Sequence, residues 1–298
     1  MSPRTKNIKI SGLNIVSQPH SPKDYLRIFD YIDQNGLAIN VSGDTNLKLV
    51  QISPIDGRNP INGIKGQILK YSHIDEDSAW VNIHQGAELN PDETPNLPKG
   101  AYPNGVFFDF VFYPTHEVNN HKFLYISEYR DSAKKKTFSL SPNYVAKFFT
   151  TIFRMDGFFK AFDSLEVTVL PSNTALERVL SLNIVKKLEI FIKAPNPDDF
   201  AELESRMLRR MDEINVSTIT EVYRYDGQSI DPDEEIMNDA KVAANNGHVS
   251  SEGKDEQGKS VKRSTVDIPL RDIVPVEAGR PEAPRVALQE YLLLNDDR

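Results

Sequence analysis

Hydrophobic positions divide the chain into segments of period two and segments of helical period. NIKISGLNIV (7–16) alternates, with Ile8, Ile10 and Leu13 as apolar points, and predicts an opening strand. Tyr25, Leu26, Phe29 and Ile32 then mark one stripe of a helix that runs to about Gln34 and stops at Asn35-Gly36. Strands are predicted at 46–53 and 64–72, separated by Pro54, Asp56-Gly57 and Asn59-Pro60, and Trp80-Val81 begins another short one. VFFDFVFY (106–113) is apolar on both faces: Phe108, Phe110 and Phe112 share one, while Phe107, Val111 and Tyr113 share the other with Asp109. That pattern predicts a central strand, paired as an antiparallel hairpin with KFLYISE (122–128).

The stretch from Thr137 to Lys193 has the densest periodicity. Val145, Phe148, Phe149, Ile152 and Phe153 give a helix from Ser141-Pro142 to about Met155. LEVTVL (165–170), a short helix at 174–182 and KLEIFIK (187–193) follow, with the relative direction of the two strands open. A helix at 197–214 carries Phe200, Leu203, Met207, Met211 and Ile214, and STITEVYRY (217–225) is a strand. A helix from Asp231-Pro232 to about Ala244 precedes a hairpin from His248 to Thr265, and ALQEYLLL (287–294) closes the chain as a docking helix or partner-binding segment. Four helix starts share one device, a capping side chain before proline: Ser21-Pro22, Ser141-Pro142, Asn196-Pro197 and Asp231-Pro232.

These elements predict an α+β protein with mixed, mainly antiparallel sheets and packed helices, in two intimately joined halves. The expected division is a sheet-rich half (1–135), an α+β half (136–275) and a tail (276–298). Residues 86–105, with four prolines and three glycines, are expected to be loop.

The zero cysteine count excludes disulfides, thiol nucleophiles and thiolate metal sites. With no apolar run long enough to cross a bilayer, a cytoplasmic protein is expected. The net charge of −8 argues against attraction of the whole molecule to nucleic acid. Its distribution changes that picture. Residues 122–160 carry eight bases (Lys122, Arg130, Lys134, Lys135, Lys136, Lys147, Arg154 and Lys160) against Glu128, Asp131 and Asp156, with Glu117 just outside. Residues 201–250 carry eleven acids against five bases.

Catalytic signatures are missing. There is no GxSxG elbow, no phosphate loop of the GxxxxGK[ST] type and no GxGxxG. No cofactor or metal site is expected: His73 and His84 near Asp75, Glu76 and Asp77 lack a ligand spacing, and His116 and His121 are expected to be solvated. A divergent two-metal nuclease would use Asp109 with Glu128, although Arg130 stands where a lysine belongs. The basic segment is the stronger lead. Lys134, Lys135, Lys136, Lys147, Arg154 and Lys160, interleaved with Tyr129, Phe138 and Tyr144, predict contacts to nucleic-acid phosphates. The alternative is a protein-interaction subunit, engaging its partner through the acidic 201–250 region, the polar hairpin and ALQEYLLL.

SLSPNYVAKFFTTIF (139–153), LEVTVLPSNTALERVLSL (165–182), LEIFIKAPNPDD (188–199) and NGHVSSEGKDEQGKSVK (246–262) resemble an uncharacterised bacterial domain-of-unknown-function family of roughly 300 residues. FDSLEVTVLP (162–171) is similar to a segment of the phage-exclusion (abortive-infection) protein RexA. The first resemblance carries no active site. The second implies a non-enzymatic anti-phage defence component that senses DNA or RNA as a homodimer, with no catalytic residue transferred.

Overall fold

The computed structural model describes residues 5–18, 21–55, 57, 59–72, 81–82, 87–88, 102, 104–114, 121–131, 134–160, 162, 164–195 and 202–291. The first part of the chain forms β1 (Thr5–Gln18), α1 (Pro22–Gln34), β2 (Ala38–Ser42), β3 (Thr45–Pro54) and β4 (Ile64–Ser72). Then come β5 (Val81–Asn82), β6 (Ala87–Glu88), β7 (Val106–Phe112), β8 (Lys122–Asp131) and β9 (Lys136–Ser139). The middle holds α2 (Pro142–Phe153), α3 (Asp156–Phe159), β10 (Ser164–Val169), α4 (Ala175–Leu180) and β11 (Ile184–Lys193). The remainder is α5 (Glu202–Glu213), β12 (Thr218–Arg224), α6 (Glu234–Asn246), β13 (Gly247–Lys254), β14 (Ser260–Ser264), β15 (Asp272–Glu277) and α7 (Ala283–Tyr291).

This is the α+β fold that the alternation predicts. A large antiparallel sheet has the order β10-β1-β8-β7-β4-β3-β2, with β15 added to β1 and β9 to β8. A second sheet has the order β12-β11-β13-β14. The chain beyond Lys135 serves both: β9, β10 and β15 join the large sheet, and β11 to β14 make the small one. β10 and β11 lie in different sheets, so they do not pair. Trp80, His20, His73, His84, His116, residues 75–77, most of 86–105, the Asn196-Pro197 start, Phe200 and residues 292–294 lie outside the described residues.

The large sheet is apolar on both faces because its central strands are. Phe108, Phe110 and Phe112 of β7 and Phe123 and Tyr125 of β8 pack under α1 and α2 with Phe29, Phe148 and Phe149. Phe123 and Phe110 stack at 4.8 Å, and Phe149 meets Phe123 edge-on at 4.9 Å. On the reverse face Ile8, Ile10, Val111, Leu124 and Ile126 pack against Leu288 of α7. Phe107 departs from the expectation: it is 46% exposed on that face. In the small sheet Leu188, Ile190, Ile192 and Val249 face α5 and α6, with Met207, Met211 and Ala243.

The sheets are joined by polar bonds. Asn14 Nδ2 in β1 donates to Asn246 Oδ1 at the end of α6 (3.1 Å), and Lys193 Nζ of β11 pairs with Glu166 of β10 (2.5 Å). Helices α1 and α2 begin at the predicted prolines, but the Ser21 and Ser141 hydroxyls make no capping bond; their carbonyls accept from the first turn instead. The third described start is displaced: Asp233, not Asp231, caps α6 by accepting from the Ile236 amide.

Candidate nucleic-acid interface

Past Glu128, which pairs with Lys9, β8 loses its β1 neighbour and is matched by β9 alone. Four residue pairs hold this hairpin, from Glu128↔Ser139 to Asp131↔Lys136. At its tip Asp131 Oδ1 accepts from the Lys134 amide (3.1 Å), and Lys135 takes a left-handed φ of 51°. The short turn gathers Lys134, Lys135 and Lys136, all exposed.

An aromatic row supports the tip. Phe108 meets Tyr129 edge-on at 5.7 Å, and Tyr129 packs on Phe138 at 5.7 Å. The ammonium groups of Lys134 and Lys136 sit over the Phe138 ring, 5.6 and 5.5 Å from its centre. Two like charges therefore converge on one ring. Burial, and then the charges of Asp131 and Asp109, raise the Tyr129 phenol above its ordinary pKa, so it stays neutral and a donor.

The other predicted bases are distributed along α2. Lys147 Nζ donates to the Val41 carbonyl of β2 at 2.7 Å, which ties the helix to the sheet edge. Arg154 ends α2 and Lys160 ends α3; both are exposed. A 12-residue helix is about 18 Å long, so Arg154 stands a helix length from the start of α2, where β9 enters it. Lys70 of β4 was not anticipated: its Nζ donates to the Ser139 carbonyl at the hairpin base (3.1 Å). The two residues are 69 positions apart, and no local sequence signal connects them.

The acids considered for catalysis are each engaged by a cation. Asp109 Oδ1 accepts from Gln67 Nε2 and Arg285 Nη2, both at 2.9 Å. Glu128 pairs with Lys9 at 2.8 Å rather than with Arg130. Among the described residues no three His, Asp or Glu side chains gather to hold a metal ion.

His121 corrects an expectation. It is fully buried, stacked on Tyr25 at 4.4 Å, because its amide donates to the Tyr113 carbonyl and its own carbonyl accepts from Ile15. The main chain on both sides draws it into the sheet. His248, in β13, packs on Phe191 of β11 at 5.1 Å. Burial lowers its pKa, Lys193 and Lys262 lower it further, and Glu189 opposes them. The folded state thus binds this proton less tightly than the unfolded chain does. Its contribution is present above about pH 6.5 and is lost as pH falls through the folded value. His248→Gln is expected to lose less thermal stability than the wild type between pH 7.5 and 5.5; equal losses would refute the assignment.

The fold and this surface define an α+β protein with two main antiparallel sheets and a small β5–β6 pair among the described residues, and a cationic hairpin at the larger sheet. The chain belongs to the family described as a domain of unknown function (DUF4747), which matches residues 6–292. No curated protein matches it. No helix among the described residues is long and apolar enough to cross a membrane.

Proposed function

We propose that the protein is a non-enzymatic nucleic-acid-binding or sensing component of a bacterial anti-phage defence system, of the abortive-infection type. The observation that carries the binding half is the pair of ammonium groups over Phe138, with Lys135 beside them on the same turn. A phosphate placed there relieves the repulsion between the lysines, and an exposed hairpin can reach a polymer backbone. Lysine contacts to phosphate read no bases, so the expected binding is independent of sequence. The net charge of −8 confines the attraction to this surface. The defence half rests on nothing but the resemblance read in the sequence between FDSLEVTVLP (162–171) and RexA.

The test is fluorescence anisotropy with duplex DNA and with single-stranded RNA over 50–200 mM salt. Three phosphate contacts give a slope of about −2.7 in log affinity against log salt for the duplex, a loss of about 40-fold over that range, and about −2.1 for the single strand, a loss of about 18-fold. The two nucleic acids compared show which is preferred. No binding to either at ~50 mM salt would refute the proposal.

A second reading, a protein-interaction subunit, is favoured by the outer edge of the small sheet. Ile214, Val216, Val222 and Tyr225 are exposed along and beside β12.

A further inference from the structure

Helix α7 covers only part of its face of the large sheet. Beside it lies a cleft of about 360 Å³, lined by Gln51 and Ser53 of β3, Lys65 and Gln67 of β4, and Arg285 of α7 around the main chain of Gly66. Its one further lining residue, Ile52, is apolar.

Asp109 organises one wall. Its Oδ1 holds both Arg285 Nη2 and Gln67 Nε2 at 2.9 Å. The acid side chain is 18% exposed and the arginine 43%, so the guanidinium extends from a largely buried carboxylate into the opening. Lys65 supplies a second cation, its Nζ anchored on the Ile55 carbonyl at 3.1 Å. The wall therefore holds two cations against one carboxylate, in a chain of net charge −8. Strand β3 bulges between Val50 and Ser53, and Gln51 takes a φ of 55°. That conformation is strained for a residue with a Cβ, and the residue occupying it brings a side-chain amide to the cleft.

We infer that this cleft binds a small phosphorylated molecule. Arg285 and Lys65 hold the phosphate, and Gln51, Ser53 and Gln67 meet a polar body of sugar size. The volume falls within the range of small-molecule sites, and the polar lining disfavours an apolar or lipid ligand. A planar guanidinium, a point-charged ammonium and neutral donors together match the several oxygens of a tetrahedral anion.

Thermal unfolding of the full chain tests it, in 20 mM phosphate, 20 mM ribose 5-phosphate, or sodium chloride or acetate at matched ionic strength. A dissociation constant of about 1 mM raises the midpoint by about 3 °C over chloride. Ribose 5-phosphate is expected to do at least as well, and acetate to match chloride. Lys65→Gln, which leaves the Arg285–Asp109 pair in place, is expected to lose most of the shift, whereas any general stabilising action of phosphate as a salt remains. Arg285→Gln is expected to lose it as well. Equal midpoints in phosphate and chloride overturn the inference, as does a shift that survives Lys65→Gln, or acetate acting like phosphate. A shift lost on replacing Lys134, Lys135 and Lys136 but kept in Lys65→Gln moves the phosphate to the hairpin and also overturns it.

Discussion

Replacing Lys134, Lys135 and Lys136 together with glutamate is expected to weaken duplex DNA binding at least about 100-fold at ~50 mM salt and to bring the salt slope close to zero. The three side chains share one exposed turn, so the substitution changes local charge by six units while Asp131 remains beside it. Four carboxylates then face the polymer where three ammonium groups did. The fold is expected to persist, because what is lost is two exposed cation–π contacts of about 0.5–1 kcal/mol each. The turn keeps the bond from the Lys134 amide to the Asp131 carboxylate, and the aromatic row behind it is untouched. The triple arginine variant separates charge from shape: arginine also meets phosphate and stacks on phenylalanine, so it is expected to bind at least as tightly as wild type. Anisotropy against the same duplex measures both variants. Wild-type affinity in the glutamate variant would remove the hairpin from any nucleic-acid interface.

The parts of this surface that the sequence reveals are the local ones. The lysine run, the following helix and the alternation of β8 lie within a few residues of one another, and proline after a capping residue marks where α1 and α2 begin. Long-range placement is invisible. Lys70 reaches the hairpin base from 69 positions away, and Arg285 reaches Asp109 from 176. Neither pairing leaves a periodic signal. Residues 276–298 read as a tail, yet Val276 and Glu277 complete β15, in which Pro275 lies opposite Asn7. Among the described residues that strand pairs with β1 alone, so an edge strand without one amide donor suffices there. Strand β2 is easily passed over: AINVS alternates, with Ile39 and Val41 buried, but for five residues only. His121 is misjudged for a related reason: its neighbours read as loop, while its burial is set by Tyr113 and Ile15, eight and 106 positions away.

Gly247→Ala is expected to destabilise the protein by about 3 kcal/mol and to lower its midpoint by about 5 °C. Helix α6 ends at Asn246 and β13 begins at Gly247 with no connecting residue. The helix end is fixed, since Asn246 is buried and its Oδ1 accepts from Asn14 of the other sheet. The next residue must therefore pass directly alongside β11, where it lies opposite Ile192. A Cβ there would overlap the carbonyl oxygen of Phe191. That oxygen is main chain on a strand paired on both sides, so it has nowhere to move. The φ of Gly247 is 165°, outside the left-handed region, and the obstacle is the Phe191 oxygen. Gly258 is the control: its φ of 75° lies in the β13–β14 turn, with nothing within 4 Å of an added Cβ. Alanine there meets only backbone strain, about 1 kcal/mol. Thermal melts of the two variants separate the causes. The steric account requires Gly247→Ala to melt clearly below Gly258→Ala, with hydrogen-exchange protection lost first from β11 and β13 while β1 and β8 stay protected. Equal midpoints would show that the α6–β13 junction relaxes and that close backbone approach is not what places glycine there.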